Sequence, residues 1–494
     1  MRLTPVAFPT ATLAVAAVTF AVLPGAATAT VDPSGSERAA SAAAVKVGAW
    51  TRLSDKNVSI LSQPAALPLG SGGAQAIWYQ QDSTSAQSIR ARVVLESGKI
   101  GSTIAPVVTG WTNVVDDPKI ISYAGKRMVV FGGRRSTSPG EKFNGPMAFA
   151  TSSNGTTWTL GTGSLTQTDA VGQGTAALND AGDPLVAVNA DLTAVTFHRG
   201  IDPSVPAAAP DWTTSSSLGC CAYHVGLGRD SKSGNVWAAW YSNSNTAKNN
   251  GVLAQRVWPK PMGNRIRAQQ SSSKGQSLNP QQGVAVASRK GGGVFVAYKV
   301  GYPTANKIRV WKVGTKQGFT VRTTDADHIS LLPGPAGRLW LVWDSNGGSV
   351  IKVSRTNGKA TRLGVVQSLK PPKKGGSYNP VWATGGSGAG GPLHLLVNAQ
   401  IGATSPQIWY QKVLAGLKLA ASPKKLDFGK VVAKVSDAGK ALSGAKVTFR
   451  GSTKTTGAKG TATFTVARGV KSGKYPMIAT KAGYARGRAV VTVT

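Results

Sequence analysis

Polar residues precede seven similar segments of the sequence, and they are the residues best placed to do chemistry. Carboxylates and imidazoles among them could move protons, and the amides and hydroxyls could hold a polar ligand in a concave site. These positions are Gln63, Asp116, Asp117, Gln173, Tyr223, His224, Asn279, Gln281, Asp327, His328, Tyr378 and Asn379. If the seven segments are arranged in a ring, all of these side chains surround one opening.

Three of these residues are candidates for catalysis. Asp117 could act as a general acid or base, and His224 or His328 could carry the proton. The alternative is that the polar side chains satisfy buried backbone groups at the rim, as buried polar atoms must. The sequence therefore predicts a binding site at this opening, and a reaction there is the alternative.

An internal repeat predicts the element that positions these residues. Each copy is a short strand, a turn rich in Gly, Asp or Asn, and an apolar second strand, as in DDPKIISYAGKRMVVF and DADHISLLPGPAGRLWLVW. The second strands are predicted to end at Trp78, Phe131, Val188, Trp240, Tyr298, Trp343 and Val397, about 45 to 58 residues apart. That spacing is typical of four-stranded propeller blades. We predict an all-β fold with a β-propeller of seven blades, six being the alternative count, and an outer strand within 45–53 that closes the ring.

The ends of the chain differ in character from the repeats. A basic start, a short apolar run at 11–23 and the small residues at 27–29 predict a signal peptide at 1–29, and the Ala/Ser-rich stretch 30–44 predicts a flexible leader. No later segment is long and apolar enough for a membrane span. The propeller is predicted at 45–416 and a small β-sandwich at 417–494. We expect a secreted monomer without a transmembrane segment.

The charge balance points to an anionic partner. The formal net charge is +36, and glutamate occurs only at Glu37, Glu96 and Glu141. Such a charge attracts polyanions such as nucleic acid, acidic glycans and cell-wall polymers. The alternative is that scattered charge only aids solubility. The density of positive charge is highest from Lys418 to Thr494, which contains sixteen Lys or Arg residues and only two aspartates.

The two cysteines, Cys220 and Cys221, are adjacent. In an oxidising compartment they could form a strained vicinal disulfide of the kind found at ligand clamps; the alternative is two buried thiols. Cys-Cys-x-x-His offers too few ligands for a metal on its own. We expect no metal and no cofactor.

The tail carries a recognisable set of strands and turns. Gly444-Ala445-Lys446-Val447, Thr455-Thr456-Gly457 and the late 479–484 segment ATKAGY resemble bacterial immunoglobulin-like and carboxypeptidase-regulatory-like domains. The resemblance covers only this tail and implies a spacer or adhesive module of about seven strands.

A second resemblance concerns the propeller. The segment 151–158, TSSNGTTW, is similar to the Asp-box of sialidase-like propellers, with Thr151 and Ser153 at the serine and aspartate positions of that motif. The segment 354–358 has a weaker similarity to the same motif. The family implies a hairpin between the third and fourth strands of a blade, and for true sialidases three arginines, a tyrosine with a glutamate partner and an aspartate. This chain lacks an early Arg-Ile-Pro motif, and no arginine begins a copy.

These observations favour a secreted propeller that binds a glycan or another anionic polymer at its funnel, with the sandwich as an anchor or spacer. The alternative is a sialidase-like glycoside hydrolase or another glycan-cleaving enzyme that uses Asp117 with His224 or His328. A structural adhesin without a funnel ligand is a third possibility.

Overall fold

A computed structural model of the chain describes residues 48–56, 58, 62–114, 117–135, 144–145, 147–162, 165, 170–171, 174–191, 194–199, 213–217, 222–244, 246–259, 261–269, 271, 284–301, 304–326, 328–345, 350–370, 372, 378–387, 391–401 and 406–494. The predicted signal peptide and leader lie outside these ranges. Within them the only helices are single 3-10 turns at Ala247–Asn249 and Pro335–Gly337. None has the length or apolar character needed to cross a bilayer.

Seven antiparallel sheets of at least four strands form the propeller in the described part of the chain. The strands begin with β1 (Thr51–Arg52), which belongs to blade 7. Blades 1 and 2, with three short additional strands, contain β2 (Ala65–Pro68), β3 (Ala74–Gln81), β4 (Gln87–Val94), β5 (Ile100–Trp111), β6 (Asn113–Val114), β7 (Lys119–Tyr123), β8 (Lys126–Arg134), β9 (Asn144–Gly145), β10 (Met147–Ser152), β11 (Thr159–Leu160) and β12 (Ala170–Val171). Blades 3 and 4 contain β13 (Gly174–Leu178), β14 (Pro184–Asp191), β15 (Ala194–Arg199), β16 (Thr213–Ser217), β17 (Ala222–Arg229), β18 (Val236–Asn243), β19 (Asn250–Trp258) and β20 (Ile266–Arg267).

The remaining blades follow the same pattern. Blades 5, 6 and 7 contain β21 (Ala285–Ser288), β22 (Val294–Val300), β23 (Lys307–Lys312), β24 (Gly318–Arg322), β25 (Ile329–Pro333), β26 (Leu339–Ser345), β27 (Val350–Arg355), β28 (Gln367–Leu369), β29 (Tyr378–Ser387), β30 (Leu393–Ile401) and β31 (Gln407–Val413). The prediction of an all-β propeller is therefore confirmed, and the described sheets favour seven blades over six. The second strands run two to four residues past the predicted ends in every blade, since the ladders continue until the polar loops.

The ring is closed by the N-terminal strand. The innermost strands β2, β7, β13, β17, β21, β25 and β29 contact one another in that order, and β29 contacts β2. β1 is the outermost strand of blade 7, where Thr51 pairs with Tyr410 and Arg52 with Trp409. The predicted closing strand within 45–53 is confirmed. Pairing the two ends of the propeller in one sheet removes the free edge that an open ring would expose.

Hydrophobic clusters lie between blades, one at each of the seven junctions between neighbouring blades in the described residues. At the closing junction, Leu53, Trp78, Leu396 and Tyr410 pack together with their side chains almost fully buried. The other six clusters join blades 1 and 2, 2 and 3, 3 and 4, 4 and 5, 5 and 6, and 6 and 7. A blade buries its two faces only when both neighbours are present, so stability depends on the complete ring.

His394 of β30 is buried at the closing junction and joins blade 7 to blade 1. Its Nε2 lies 3.0 Å from the Gly72 carbonyl oxygen, and its Nδ1 lies 3.1 Å from the Tyr410 hydroxyl. A carbonyl only accepts, so Nε2 carries the hydrogen and Nδ1 accepts from Tyr410. Burial lowers the pKa of His394, the bond to Gly72 opposes this, and the charge of Lys412 lowers the pKa further.

We expect this histidine to make the fold sensitive to mild acid. Because its pKa is lower in the folded protein than the unfolded value of about 6.5, the unfolded chain binds more protons as the pH falls below that value. The free energy of unfolding should then decrease with falling pH, by at most about 1.4 kcal/mol per pH unit from this group, until the folded-state pKa is reached. Urea unfolding at several pH values would measure the slope, and His394→Gln should flatten it between pH 6.5 and 5. Equal slopes in the two proteins would contradict the assignment.

The hairpin at 152–159 lies between the third and fourth strands of blade 2, where the Asp-box resemblance places it. The Ser152 hydroxyl accepts the Gly155 N–H at 2.7 Å, and the Asn154 side chain accepts the N–H groups of Thr156 and Thr157 at 2.9 Å. Ser152 and Asn154 thus form the turn, and Ser153, the position expected to correspond to the aspartate, has no such role. The membership of the sialidase-like family stays a prediction.

The C-terminal residues form a β-sandwich, as predicted. Its strands are β32 (Ala415–Gly416), β33 (Lys418–Ser422), β34 (Lys425–Leu426), β35 (Gly429–Asp437), β36 (Lys440–Ala441), β37 (Lys446–Phe449), β38 (Ser452–Thr455), β39 (Thr461–Val466), β40 (Gly473–Thr480), β41 (Tyr484–Ala485) and β42 (Gly487–Val493). One sheet contains β33, β35, β36 and β39, and the other has the order β34-β42-β40-β37-β38. Alternate residues such as Val431, Ala433 and Val435 point into the shared core. There are more strands than the seven expected, because several are only two residues long.

The sandwich is joined to blade 6 by a buried ionic cluster. The carboxylate of Asp437 accepts from Arg355 at 2.9 Å and lies 3.2 Å from Arg338, and the Tyr484 hydroxyl donates to it at 3.0 Å. The Arg355 guanidinium also lies over the rings of Trp340 and Tyr484, at 5.5 and 5.4 Å. β32 continues almost directly from blade 7 and pairs with β41. The sandwich is thus docked on the propeller, and its role as a spacer or adhesive module stays a prediction.

Candidate functional site

We call the end of the propeller at which the chain enters the innermost strands the entry face. A cluster of polar residues lies there, with Gln63 at its centre. Gln63 precedes β2, and its backbone N–H donates to the Asp117 carboxylate in front of β7. Its side-chain amide donates to the Ser330 hydroxyl at 3.3 Å and accepts from the Lys119 ammonium at 3.1 Å. Ser330 in turn donates to the Ala383 carbonyl at 2.5 Å. One amide therefore connects blades 1, 2 and 6, and through Ser330 it reaches blade 7.

The local backbone places Asp117 in this cluster. Its φ is 64°, in the left-handed region, where aspartate is tolerated better than most residues. The side chain is almost fully buried, whereas Gln63 and Lys119 are half-buried. The cluster thus offers an amide and an ammonium group near the surface, with a carboxylate behind them. Such groups can bind hydroxyls and an acidic group of a ligand.

His328 and Asp344 form a second polar unit at the same end of blade 6. The buried Asp344 carboxylate accepts the His328 backbone N–H at 2.8 Å and lies 3.0 Å from the ring Nδ1. The pairing selects the tautomer with hydrogen on Nδ1, so Nε2 is the ring nitrogen that can take up a proton. The imidazole side chain is 10 % exposed. Such an oriented histidine could serve as a general base or as a structural clamp at the start of β25.

An ion pair occupies the neighbouring loop of blade 1. The Arg90 guanidinium donates to both oxygens of Asp82 at 3.0 and 3.1 Å, and Gln80 donates to the same carboxylate at 3.0 Å. Burial alone would raise the pKa of Asp82, but the hydrogen bonds from Arg90, Ser88 and Gln80 outweigh it and lower the pKa. Asp82 therefore stays ionised and does not supply a proton at the entry face.

The other predicted residues are placed less completely. Tyr223 and His224 lie at the start of β17, and Tyr378 and Asn379 begin β29, so their backbones stand at the entry ends of the innermost strands of blades 4 and 7. Seven predicted positions lie outside the described residues: Asp116, Gln173, Cys220, Cys221, Asn279, Gln281 and Asp327. The structure brings Asp117 together with Gln63, while His328 bonds to a residue of its own blade. Among the described residues that lead into the innermost strands there is no arginine.

Sequence reasoning missed Lys119, Ser330 and Asp344. Lys119 and Ser330 are each two residues after a predicted position. Residues two apart share one side of an extended strand, and this spacing was the signal available for both, although Asp117 itself has left-handed backbone geometry. Asp344 follows the predicted end of the second strand of blade 6, and its pairing with His328 was hidden because it depends on the register of β25 and β26.

No family model matches the chain, and none of the curated proteins matches it. Several solved structures are similar in fold. A protein of unknown function from Dyadobacter fermentans has 10% identity and a TM-score of 0.44, with 75% of this chain and 99% of that chain covered. The polysaccharide lyase Uly1 has 10% identity and a TM-score of 0.45, with coverages of 73% and 92%. An arabinanase of Bacillus subtilis has 11% identity and a TM-score of 0.30, with coverages of 64% and 95%. Since every one of these TM-scores is below 0.5, the likenesses assign neither an activity nor a substrate to this chain.

Proposed function

We propose that the chain is a secreted protein whose propeller binds a glycan or another anionic polymer at the entry face. The observation that carries the proposal is the Gln63 cluster, in which polar groups of several blades meet at one opening. The amide of Gln63 and the ammonium of Lys119 would bind hydroxyl and acidic groups, and Asp117 and Ser330 would fix the geometry. The net charge of +36 would draw an anionic polymer to the surface.

A pair of lysine variants tests this proposal. Lys119 begins β7 at the entry face, whereas Lys126 begins β8 at the opposite end of the same hairpin. The mature protein would be screened on a glycan and polyanion array at low and physiological salt, and the best ligand would then be titrated. Lys119→Ala removes a charged hydrogen bond worth about 1.5–3 kcal/mol, so its salt-resistant binding should be weaker by about tenfold or more. Lys126→Ala should bind nearly as the wild type does. Binding by the wild-type protein that vanishes as salt rises, or equal losses in both variants, would contradict a funnel site.

A second candidate is a glycan-cleaving enzyme, and the His328–Asp344 pair favours it. In this mechanism His328 Nε2 would take a proton from the substrate or from water while Asp344 holds the ring, and Asp117 or His224 would be the second group. Released sugar would be measured for the wild type, His328→Gln and Asp344→Asn. Removal of a general base should reduce turnover by about 100-fold or more. Absence of product from the wild type would leave the binding function alone.

A further inference from the structure

A basic cleft lies where the sandwich docks on blade 6. Its volume is about 620 Å³. Arg362 and Val365 line it from the loop between β27 and β28, and Lys418, Lys434 and Ser436 line it from the sandwich. That loop is at the far end of blade 6 from His328, because β25 and β27 both run away from the entry face. The cleft is therefore a separate location from the proposed glycan site.

The charges in the cleft are of one sign. Arg362, Lys418 and Lys434 are at least partly exposed, and no carboxylate lines the cavity. Asp437, which lies between the lining residues Ser436 and Ala438, is buried and already bonded to two arginines. Within the described part of the chain, neither Lys418 nor Lys434 forms an ion pair. Three cations gathered without a counter-charge repel one another, so an anion in the cleft would be stabilising.

Arg362 is held in position by the sandwich. Its Nε donates to the Ala438 carbonyl at 3.0 Å. Ala438 and Gly439 form the two-residue turn between β35 and β36, with φ of 46° and 82°, a pattern typical of a type I′ hairpin. A Cβ at Gly439 would lie 2.0 Å from a guanidinium nitrogen of Arg362. The absence of a side chain at Gly439 thus lets the guanidinium lie against the turn, ordered before any ligand arrives.

The basic surface continues from the cleft along β35. Residues 431, 433 and 435 are buried, so the alternate residues Lys430, Lys434 and Ser436 lie on the opposite, outward face. Lys418 is opposite Ser436 in the neighbouring strand β33, which brings it diagonal to Lys434. From Ser436 to Lys430 the strand extends about 20 Å. A row of this length suits a polymer with repeated charges better than a single small anion.

We propose that this cleft and the outward face of β35 bind a linear acidic polysaccharide through its carboxylate or sulfate groups. Arg362 can bind such a group bidentately, while Lys418 and Lys434 act as point charges. The Ser436 hydroxyl adds a group suited to sugar hydroxyls. No aromatic side chain lines the cleft, although single-stranded nucleic acids are usually bound by stacking on aromatic rings. The site does not depend on the function proposed for the entry face.

The test compares two double charge reversals of the full-length mature protein. Arg362→Glu/Lys434→Glu alters the cleft, and Lys446→Glu/Lys474→Glu makes the same change of net charge on exposed positions of β37 and β40 in the other sheet. Binding of oligogalacturonate, dextran sulfate, neutral dextran and single-stranded DNA would be titrated at physiological salt. Because the reversal removes two cationic hydrogen-bond donors from the cleft, this variant should bind the acidic polysaccharides at least about tenfold more weakly, and the control should change little. Lys126→Ala, a change outside both proposed sites, should leave this binding unchanged.

Three outcomes would overturn the proposal. Equal losses in the two double variants would show that net charge alone attracts the polymer. Tighter binding of single-stranded DNA than of either acidic polysaccharide would assign the surface to nucleic acid. Unchanged binding in the cleft variant would exclude the cleft. If the reversal alters thermal unfolding, Lys418→Ala/Lys434→Ala, which removes two exposed charges without adding any, provides the same comparison.

Discussion

Replacing Asp437 by alanine is expected to release the sandwich from the propeller. The Asp437 carboxylate is 2% exposed and contacts Arg355 and Arg338, whose side chains are 7% and 13% exposed. Without it, two guanidinium groups remain buried with no compensating charge at this position. Removal of one partner from a buried ionic cluster costs about 3–5 kcal/mol. The pairing of β32 with β41 and the bond of Arg362 to Ala438 remain in the variant, and we expect a loss of this size to exceed what they supply.

The expected result is a change in the number of unfolding transitions. Wild-type protein should unfold with the sandwich and propeller coupled, whereas Asp437→Ala should show the sandwich melting separately in calorimetry. Limited proteolysis should then cut near 414–417, which the docked sandwich covers. Asp437→Asn keeps the shape of the side chain and should have a smaller effect. Asp427→Ala removes an exposed carboxylate of the same domain and serves as the control. A single transition with unchanged midpoint in Asp437→Ala would show that the ionic cluster does not hold the domains together.

Tyr484 reports locally on the same cluster. Burial raises the pKa of the Tyr484 phenol, and the negative charge of Asp437 raises it further. Undocking removes both causes, so the pKa should fall toward its ordinary value of about 10 in Asp437→Ala. The change would appear in a titration of tyrosinate absorbance, compared with a Tyr484→Phe variant to assign the signal.

The sequence was informative wherever a structural requirement is local and repeated. The alternation of apolar and polar residues within each copy predicted the strands, and the spacing of copies predicted the blades, because each blade needs the same two strands and turn. The outer strand at 51–52 was also predictable, since a ring must close. The Asp437 cluster was not predictable. Asp437 is 82 residues from Arg355 and 99 from Arg338, and nothing near any of the three indicates the pairing.

The residues of the entry face were also predictable only in part from the sequence. Asp117 and His328 were predicted because polar residues precede each copy, and the described structure places both at the entry ends of innermost strands. Which of them meet was not predictable. The contact of Gln63 with Ser330 depends on how blades 1, 6 and 7 pack around the channel, and that packing results from the whole ring.

Replacing Leu53 by alanine is expected to destabilise the entire propeller and not only its first strand. Leu53 is completely buried at the closing junction, where it packs with Trp78 of blade 1 and Tyr410 of blade 7. Its backbone is also held, since its N–H donates to the Ile408 carbonyl at 2.8 Å and its carbonyl accepts from Arg92 at 2.7 Å. A buried Leu→Ala change costs about 2–5 kcal/mol, because apolar burial is reduced and a cavity remains.

Because this segment packs at the junction that closes the ring, beside the contact of β29 with β2 and the bond of His394 to Gly72, the loss should lower the stability of all seven blades together. Urea unfolding followed by tryptophan fluorescence, which samples several blades, should show one transition shifted to lower urea concentration. Leu95→Ala is the matched control: Leu95 is 47% exposed in the turn after β4, so the same chemical change should cost little. If Leu53→Ala instead detached β1 while the remaining blades unfolded at the wild-type midpoint, blade 7 would be stable with three strands. The propeller would then be held by its inner strands, and closure by β1 would be dispensable.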